Sequence, residues 1–382
     1  MPVKRARKAI PQGTARKLWV KSAGRCQYRG CNIVLWRDSM MQKDMNKAYI
    51  SHIIAAKEDG PRGDEELSEK LEIAYENLML LCDECHNRID EADPESHSVV
   101  YLQAMKVEHE ERIETLTDIG IDKRSHIVVY RANVGEHTPV LNFETVRSYL
   151  PPERYPAAPS AIDLGMINSP QRDKDDFFWQ SEISSLKALF TEQLKPRLRK
   201  GEIEHLSVFA FAPIPLLVKL GTLINDIQHV EVHQPIRNPK SWKWQPDDEY
   251  SDVRYLVHSP KEKQAQVALN LSLSATITND RIHRVLGEDV AIFTLTTEMP
   301  FNDLLKCRKH LHNFSKELRL LLNQIKAEYG SEAPLHVFPA MPISAAVELG
   351  RSWMPKADMS LLMYDENTAA EGFRQVIEIQ NN

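Results

Sequence analysis

Four of the five cysteines in this 382-residue chain fall into two short knuckles, Cys26-x4-Cys31 and Cys82-x2-Cys85. Two thiolate pairs on such turns can close one tetrahedral zinc site, which ties together everything between them. The zinc is structural, because four thiolates leave no open position for water. An odd cysteine count with metal-ligand spacing points to a reducing cytosol rather than a disulfide framework. Three further residues stand out inside this unit. His52 lies between the knuckles in an apolar-rich strand over residues 48–54. Asn77 precedes a predicted strand over 78–81, and His86 directly follows Cys85.

Phosphodiester hydrolysis needs an activated water, a cation to stabilise charge on the phosphate and leaving oxygen, and a grip on the duplex. His52 can take a proton from water near neutral pH. The zinc fixes His86, which would point at a second, catalytic metal. Asn77 can hydrogen-bond the turn that carries His52. The bland alternatives are a zinc ribbon without catalysis, a core histidine at 52 and an ordinary turn asparagine at 77.

The net charge of −6 hides an asymmetry. Residues 1–57 hold 13 Lys and Arg against only Asp38 and Asp44. A concentrated positive field suits a polyanion such as nucleic acid. The first cations, Lys4, Arg5, Arg7 and Lys8, read as a tail, while Arg16, Lys17, Lys21 and Arg25 run into the first knuckle and are the expected DNA contacts. No apolar stretch reaches the ~18 residues of a membrane span, and the basic N-terminus lacks an apolar signal core. The expected setting is cytoplasmic, without a membrane partner.

Residues 11–24 read as a short basic helix with Leu18 and Trp19 available to pack. Residues 58–70 read as an exposed polar loop. An amphipathic helix is expected over 95–118, carried by Val99, Leu102, Met105, Ile113 and Leu116. Gly120 ends it and sets the boundary between domains 1–120 and 121–382. Residues 150–160 contain four prolines and read as an extended connector.

The remainder contains an internal repeat. Residues 206–221 (LSVFAFAPIPLLVKLG) and 335–350 (LHVFPAMPISAAVELG) align without a gap and agree at eight of 16 positions, among them Pro213/Pro342 and Gly221/Gly350. Each copy reads as a buried strand, a Pro-containing turn and a helix. The strands at 253–257 and 359–364 match in kind, and strands over 127–130, 267–277 and 290–296 with a helix over 301–326 complete two related α/β lobes. Strand-to-helix turns are where open α/β sheets bind ligands. Two such turns at a shared crevice suit a nearly two-fold ligand such as a cyclic dinucleotide. Neither GxGxxG nor GxxxxGK[ST] occurs, which disfavours a conventional NAD or ATP site.

On the residues Cys26, Cys31, His52, Asn77, Cys82, Cys85 and His86, the stretch 20–93 resembles the HNH, or ββα-metal, endonucleases. The resemblance implies that His52 is the general base, that His86 binds a catalytic divalent metal such as Mg²⁺, and that the cysteines hold Zn²⁺. Ser51 departs from the family, many members of which carry a metal-binding Asp there. On the two repeat copies and the runs 234–244 (QPIRNPKSWKW) and 349–356 (LGRSWMPK), residues 125–382 resemble a SAVED domain, itself similar to two fused CARF domains. The expected fold is therefore an α+β, zinc-ribbon-like ββα-metal domain followed by an α/β SAVED domain of two CARF-like lobes.

The order HNH then SAVED resembles effectors of bacterial CBASS anti-phage systems. It implies a latent endonuclease that degrades double-stranded DNA and is switched on by a cyclic nucleotide from a partner synthase. It also implies a homo-oligomer, a dimer that grows larger when activated. The expected ligand residues are Ala212 and Pro213 at one turn and Met341 and Pro342 at the other. Trp242 and Trp244 are expected for base stacking, Arg237 and Lys356 for phosphate, and Ser274 as a hydrogen-bond donor. Two competing functions are a non-catalytic zinc-ribbon DNA-binding regulator with a small-molecule sensor, and an ungated nuclease whose C-terminal part only dimerises.

Overall fold

The structure, a computed structural model, describes residues 7–38, 40–166, 169–175, 177–225, 227, 229–367 and 372–380; Lys4 and Arg5 lie outside the described residues. The chain divides into two compact units, Met1–Gly120 and Ile121–Asn382.

The first unit opens with helix α1 (Gln12–Lys21), which buries Leu18. The helix is closed by the Gly24 N–H donating to the Trp19 carbonyl at 2.9 Å. Gly24 has φ +62°, and a Cβ there would lie 2.9 Å from the Trp36 ring, so both conformation and space favour glycine. Strands β1 (Ala48–His52) and β2 (Leu78–Cys82) pair antiparallel, with His52 opposite Leu78 and Ala48 opposite Cys82. Every residue of β2 is buried, which explains its unbroken apolar run. Helix α2 (Asp83–Asn87) follows at once, and the Cys85 N–H donates to Cys82 Sγ at its N-cap. Helix α3 (Val99–Thr117) starts behind the Ser98 cap and buries Leu102 and Met105. Its start is later than the pattern suggested, and Leu116 stays 42% exposed, because the core beneath it ends a turn or more earlier.

Among the described residues the second unit has two sheets. In the first, β3 (Arg124–Arg131), β4 (Leu206–Phe211) and β5 (Val230–Val232) run parallel in that order, with Tyr155–Pro156 and Ile162–Asp163 added beside β3. The second sheet contains β6 (Tyr255–His258), β7 (Gln266–Ser272), β8 (Val290–Thr297), β9 (Leu335–Ala340), β10 (Leu361–Asn367) and β11 (Gly372–Ile379). Its spatial order is β11-β10-β9-β7-β8-β6. The two repeat copies become β4 with helix α4 (Ile214–Leu223) and β9 with helix α5 (Ile343–Ser352).

The helices of the two copies pack on each other at equivalent glycines. A Cβ on Gly221 would sit 2.1 Å from the Val347 carbonyl oxygen, and one on Gly350 would sit 2.0 Å from that of Val218. The repeat thus places Gly at a backbone-to-backbone crossing that no side chain can enter. Lobe equivalence differs from the sequence reading at one place. Residues 255–258 form an antiparallel edge of the second sheet, and the counterpart of β10 is the short β5. The expected strand over 267–277 stops at Ser272. The expected helix over 301–326 begins only after Cys307, a buried residue at the N-cap position of Arg308–Tyr329 whose thiol makes no capping hydrogen bond.

Candidate functional sites

In the N-terminal unit the four cysteines converge. Their sulfur atoms all lie within 4.8 Å of one another, with Cys31 Sγ and Cys82 Sγ 3.9 Å apart. The knuckle geometry comes from local bonds. The Cys26 N–H donates to the Ile33 carbonyl, the Cys31 N–H to that of Tyr28, and Gln27 exchanges two hydrogen bonds with the Leu80 backbone. Burial pushes the Cys26 thiol up to about 12, and the Cys85 thiol also rises. A divalent cation among four such sulfurs reverses that cost by stabilising the thiolates. The donor set and spacing fit zinc.

His52 ends β1 with only 6% of its surface exposed. Its Nε2 lies 2.8 Å from the Glu72 carbonyl oxygen and its Nδ1 lies 2.7 Å from Arg7 Nη2. A carbonyl only accepts and a guanidinium only donates, so Nε2 carries the proton and Nδ1 the lone pair. Burial lowers the pKa of His52; the Glu72 carbonyl opposes the shift and Arg7 adds to it. Asn77 is buried and holds the turn after His52. Its Oδ1 accepts the Ile54 N–H at 2.7 Å and its Nδ2 donates to the Ile54 and Leu71 carbonyls. Asn77 therefore braces the turn after His52, and none of these hydrogen bonds reaches the His52 side chain.

His86 sits on α2 with Nδ1 3.1 Å from Ser51 Oγ and 3.2 Å from Asp90 Oδ2. Ser51 is thus faced by a carboxylate from one helical turn beyond His86. Asp90 is in turn held by Arg62, whose Nη2 lies 2.5 Å from Asp90 Oδ1 while its Nε and Nη1 donate to the Ile53 and Ile89 carbonyls. Sequence reasoning missed both residues. Arg62 was expected in an exposed loop, but its long side chain folds inward, only 7% exposed, and satisfies buried carbonyls. The spacing of four between His86 and Asp90 was the available sign.

The expected DNA contacts have mixed surroundings. Arg16 and Lys17 are exposed, and Lys17 Nζ stands 3.9 Å from the centroid of the Tyr75 ring. Lys21 pairs with Glu114 at 3.3 Å. Arg25 donates to the Asn32 carbonyl at 3.0 Å and braces the first knuckle.

The C-terminal unit contains a cavity of about 450 Å³. Ala212, Arg237, Trp242, Ser274, Met341 and Pro342, all expected ligand residues, line it together. Both repeat turns reach it, followed by the N-termini of α4 and α5, where partial positive charge favours anions. Gln234 locks the lobes across it. Its Oε1 accepts the Ser344 N–H at 2.9 Å and the Ser344 hydroxyl at 2.8 Å. The loop carrying Arg237 is pinned by Asp303, which accepts the Arg237 and Asn238 N–H groups. This leaves the Arg237 side chain exposed beside Lys240. Trp242 packs edge-on against Phe209, with ring centroids 5.7 Å apart.

Three expected ligand residues lie elsewhere. Trp244 is buried, its indole N–H donates to the Val232 carbonyl, and it borders a different cavity, so it is a core residue and no stacking platform. Pro213 is the N-cap of α4 and its carbonyl receives the Leu216 N–H, so it shapes the turn without lining the cavity. Lys356 is exposed in the turn after α5, held away by the buried anchor Trp353. Gln234, Lys240 and Asn302 line the cavity and were not singled out; Gln234 and Lys240 fall within the 234–244 run that already drew attention.

The family described as SMODS-associated and fused to various effectors sensor domain, SAVED, matches residues 186–379, and the chain belongs to that family. Among solved structures, the chain is similar to an Acinetobacter baumannii Cap4 SAVED/CARF-domain containing receptor with the cyclic trinucleotide 2'3'3'-cAAA. The identity is 12% and the TM-score 0.42, over 74% of this chain and 56% of that one. The same receptor with 3'3'3'-cAAA gives 12% and 0.41, over the same shares. Without a ligand named it gives 12% and 0.39, over 83% of this chain and 61% of that one. This chain thus spans little more than half the length of those receptors. No curated protein matches it. Among the described residues no helix is long and apolar enough to cross a membrane.

Proposed function

We propose that this chain is a DNA endonuclease of the HNH kind, gated by a cyclic oligonucleotide, acting as an effector in CBASS anti-phage defence. The observation that carries the reading is the meeting of Ser51, His86 and Asp90, with Ser51 next to the buried His52 on β1 and His86 next to Cys85 of the four-sulfur cluster, on a strand-strand-helix unit fused to a sensor of a family joined to various effectors. His52 Nδ1 is the lone pair that takes the proton from the attacking water, and its Nε2–H on the Glu72 carbonyl fixes the ring. Asn77 holds the turn behind it. His86 and Asp90 are the residues that would hold Mg²⁺, which when bound supplies charge stabilisation at the phosphate and leaving oxygen. Their nitrogen and carboxylate donors suit a divalent cation.

In the sensor, Arg237 and Lys240 meet phosphate and Trp242 offers a face to a base. A ligand activates only if it binds the active state more tightly than the resting one. The cavity is built wholly from the C-terminal unit, so ligand acts through the association of protomers, from a dimer to a larger assembly. The test is plasmid cleavage with Mg²⁺ against a panel of cyclic di- and trinucleotides, with light scattering in parallel. Cleavage that appears with one nucleotide as the mass rises supports the reading. Nucleotide-dependent DNA binding without any cleavage assigns the chain to the non-catalytic regulators instead.

A further inference from the structure

The contact between Arg7 and His52 places a fixed cation on the one nitrogen that the proposed chemistry requires. Arg7 Nη2 stands 2.7 Å from His52 Nδ1. A guanidinium has no acceptor and does not titrate in the working range, so it engages the lone pair of Nδ1 whatever the pH at which the imidazole is neutral. Nε2 is already committed to the Glu72 carbonyl. Both ring nitrogens are therefore occupied, and no water can give a proton to His52 in this arrangement.

The next residue anchors the contact. The Lys8 backbone N–H donates to Glu72 Oε1 at 2.6 Å, and Lys8 Nζ lies 3.9 Å from Glu72 Oε2. The Glu72 side chain is only 3% exposed, so this is a built contact and no chance meeting of surface charges. One residue thus orients the base through its carbonyl and holds the strap through its carboxylate. Among the described residues, Arg7, Glu72 and Asp90 are charged groups that bear on His52.

We infer that Arg7 and Lys8 form an autoinhibitory strap that caps the general base and must lift before DNA is cut. The inference rests on the nuclease reading. Its physical logic is an exchange of partners. A phosphate is an anionic acceptor with geometry matched to a guanidinium, and a neutral imidazole nitrogen is a weaker one. Entry of a DNA backbone draws Arg7 off Nδ1 and frees the lone pair, so strap release and substrate entry favour each other. Without DNA, the strap keeps the base unusable.

The experiment uses the full chain with supercoiled plasmid and Mg²⁺, without added nucleotide. Arg7→Ala is expected to raise this basal cleavage at least about tenfold over the parent. Glu72→Gln, which keeps the carbonyl and weakens the strap's anchor, moves it the same way. Arg7→Lys stays closer to the parent, and adding His52→Ala to Arg7→Ala silences cleavage. Arg7→Ala cutting at or below the parent rate, with and without nucleotide, overturns the proposal and makes Arg7 a phosphate contact. The ¹⁵N shift of His52 Nδ1 in DNA-free protein reads the cap directly. It is expected to move toward the value of a free pyridine-type nitrogen in Arg7→Ala. An unchanged shift overturns the strap whether or not the chain cuts DNA. A clear shift in a chain that no nucleotide makes cleave overturns the nuclease reading and leaves the contact standing.

Discussion

In the N-terminal unit the candidate chemistry lies on or beside the two strands and the cysteine knuckles, with His86 one residue from Cys85. In the C-terminal unit the cavity gathers residues as far apart as Val134 and Ile343, and it exists only where two copies of one motif meet. The first arrangement needs residue types at fixed spacing, because a metal and a base would impose distances. The second needs shape, which distant segments build together. The two units therefore fail in different ways. Loss of one sulfur removes the frame of the first, while the second tolerates loss of a lining residue and yields to a clash at the helix crossing.

The largest effect is expected at the sulfur site. Structural zinc contributes on the order of 10 kcal/mol of folding free energy in small domains. Cys82→Ser should lose zinc by elemental analysis and unfold residues 1–120, while calorimetry shows the sensor's transition unchanged. If that variant keeps both zinc and its melting profile, the contrast between the units collapses. The reverse experiment is Gly221→Ala, whose Cβ would sit 2.1 Å from the Val347 oxygen. Overpacking of this kind costs about 1–3 kcal/mol or more, so the sensor should melt earlier with zinc content intact.

These two sites were also the most legible in the sequence. The cysteine spacing announced the four-sulfur cluster, and the repeat announced the glycine pair, although its role as a backbone crossing appeared only in the fold. Asp90 and Arg62 were hidden because their use depends on how residues 58–70 fold back onto the segments that follow β1 and α2. Trp242 and Trp244 illustrate the limit within a single run. Two residues apart in one loop, one lines the cavity and the other is core, and nothing local distinguishes them. Lys356 failed similarly, since a basic residue near a repeat copy need not face its cavity.

A smaller effect is expected at Trp242. Stacking of a base on an aromatic ring is worth about 1–3 kcal/mol, so Trp242→Ala should weaken nucleotide binding roughly tenfold to a hundredfold by calorimetric titration. Trp244→Ala should instead lower thermal stability, and equal losses of affinity in both variants would erase the distinction drawn between them.

The smallest effect concerns pH and again separates the units. Glu182 is buried, and burial raises its pKa from 4.5 to about 7 against the opposing pull of the Ser169 hydroxyl. Below about 4.5 the group is protonated in both states and costs nothing. As pH rises toward 7 the unfolded chain releases its proton first, so the sensor loses stability across that window. Glu182→Gln should therefore melt a few degrees higher than the parent at pH 8, with the gain vanishing at pH 4.5. A gain of equal size at both pH values would show that ionisation is not its source.

The central claim is that ligand occupancy in one unit licenses chemistry in the other, and three chains compared in one plasmid assay test it most directly. With Mg²⁺ and a saturating cyclic nucleotide the parent should degrade DNA, and without the nucleotide it should cut only at its low basal rate. His52→Ala should bind the nucleotide normally and lose about 10²–10⁴ in rate, the usual worth of a general base. Trp242→Ala should need more nucleotide to reach the same rate. Parent-like cleavage by His52→Ala, or cleavage by the parent that ignores the nucleotide, would contradict the account.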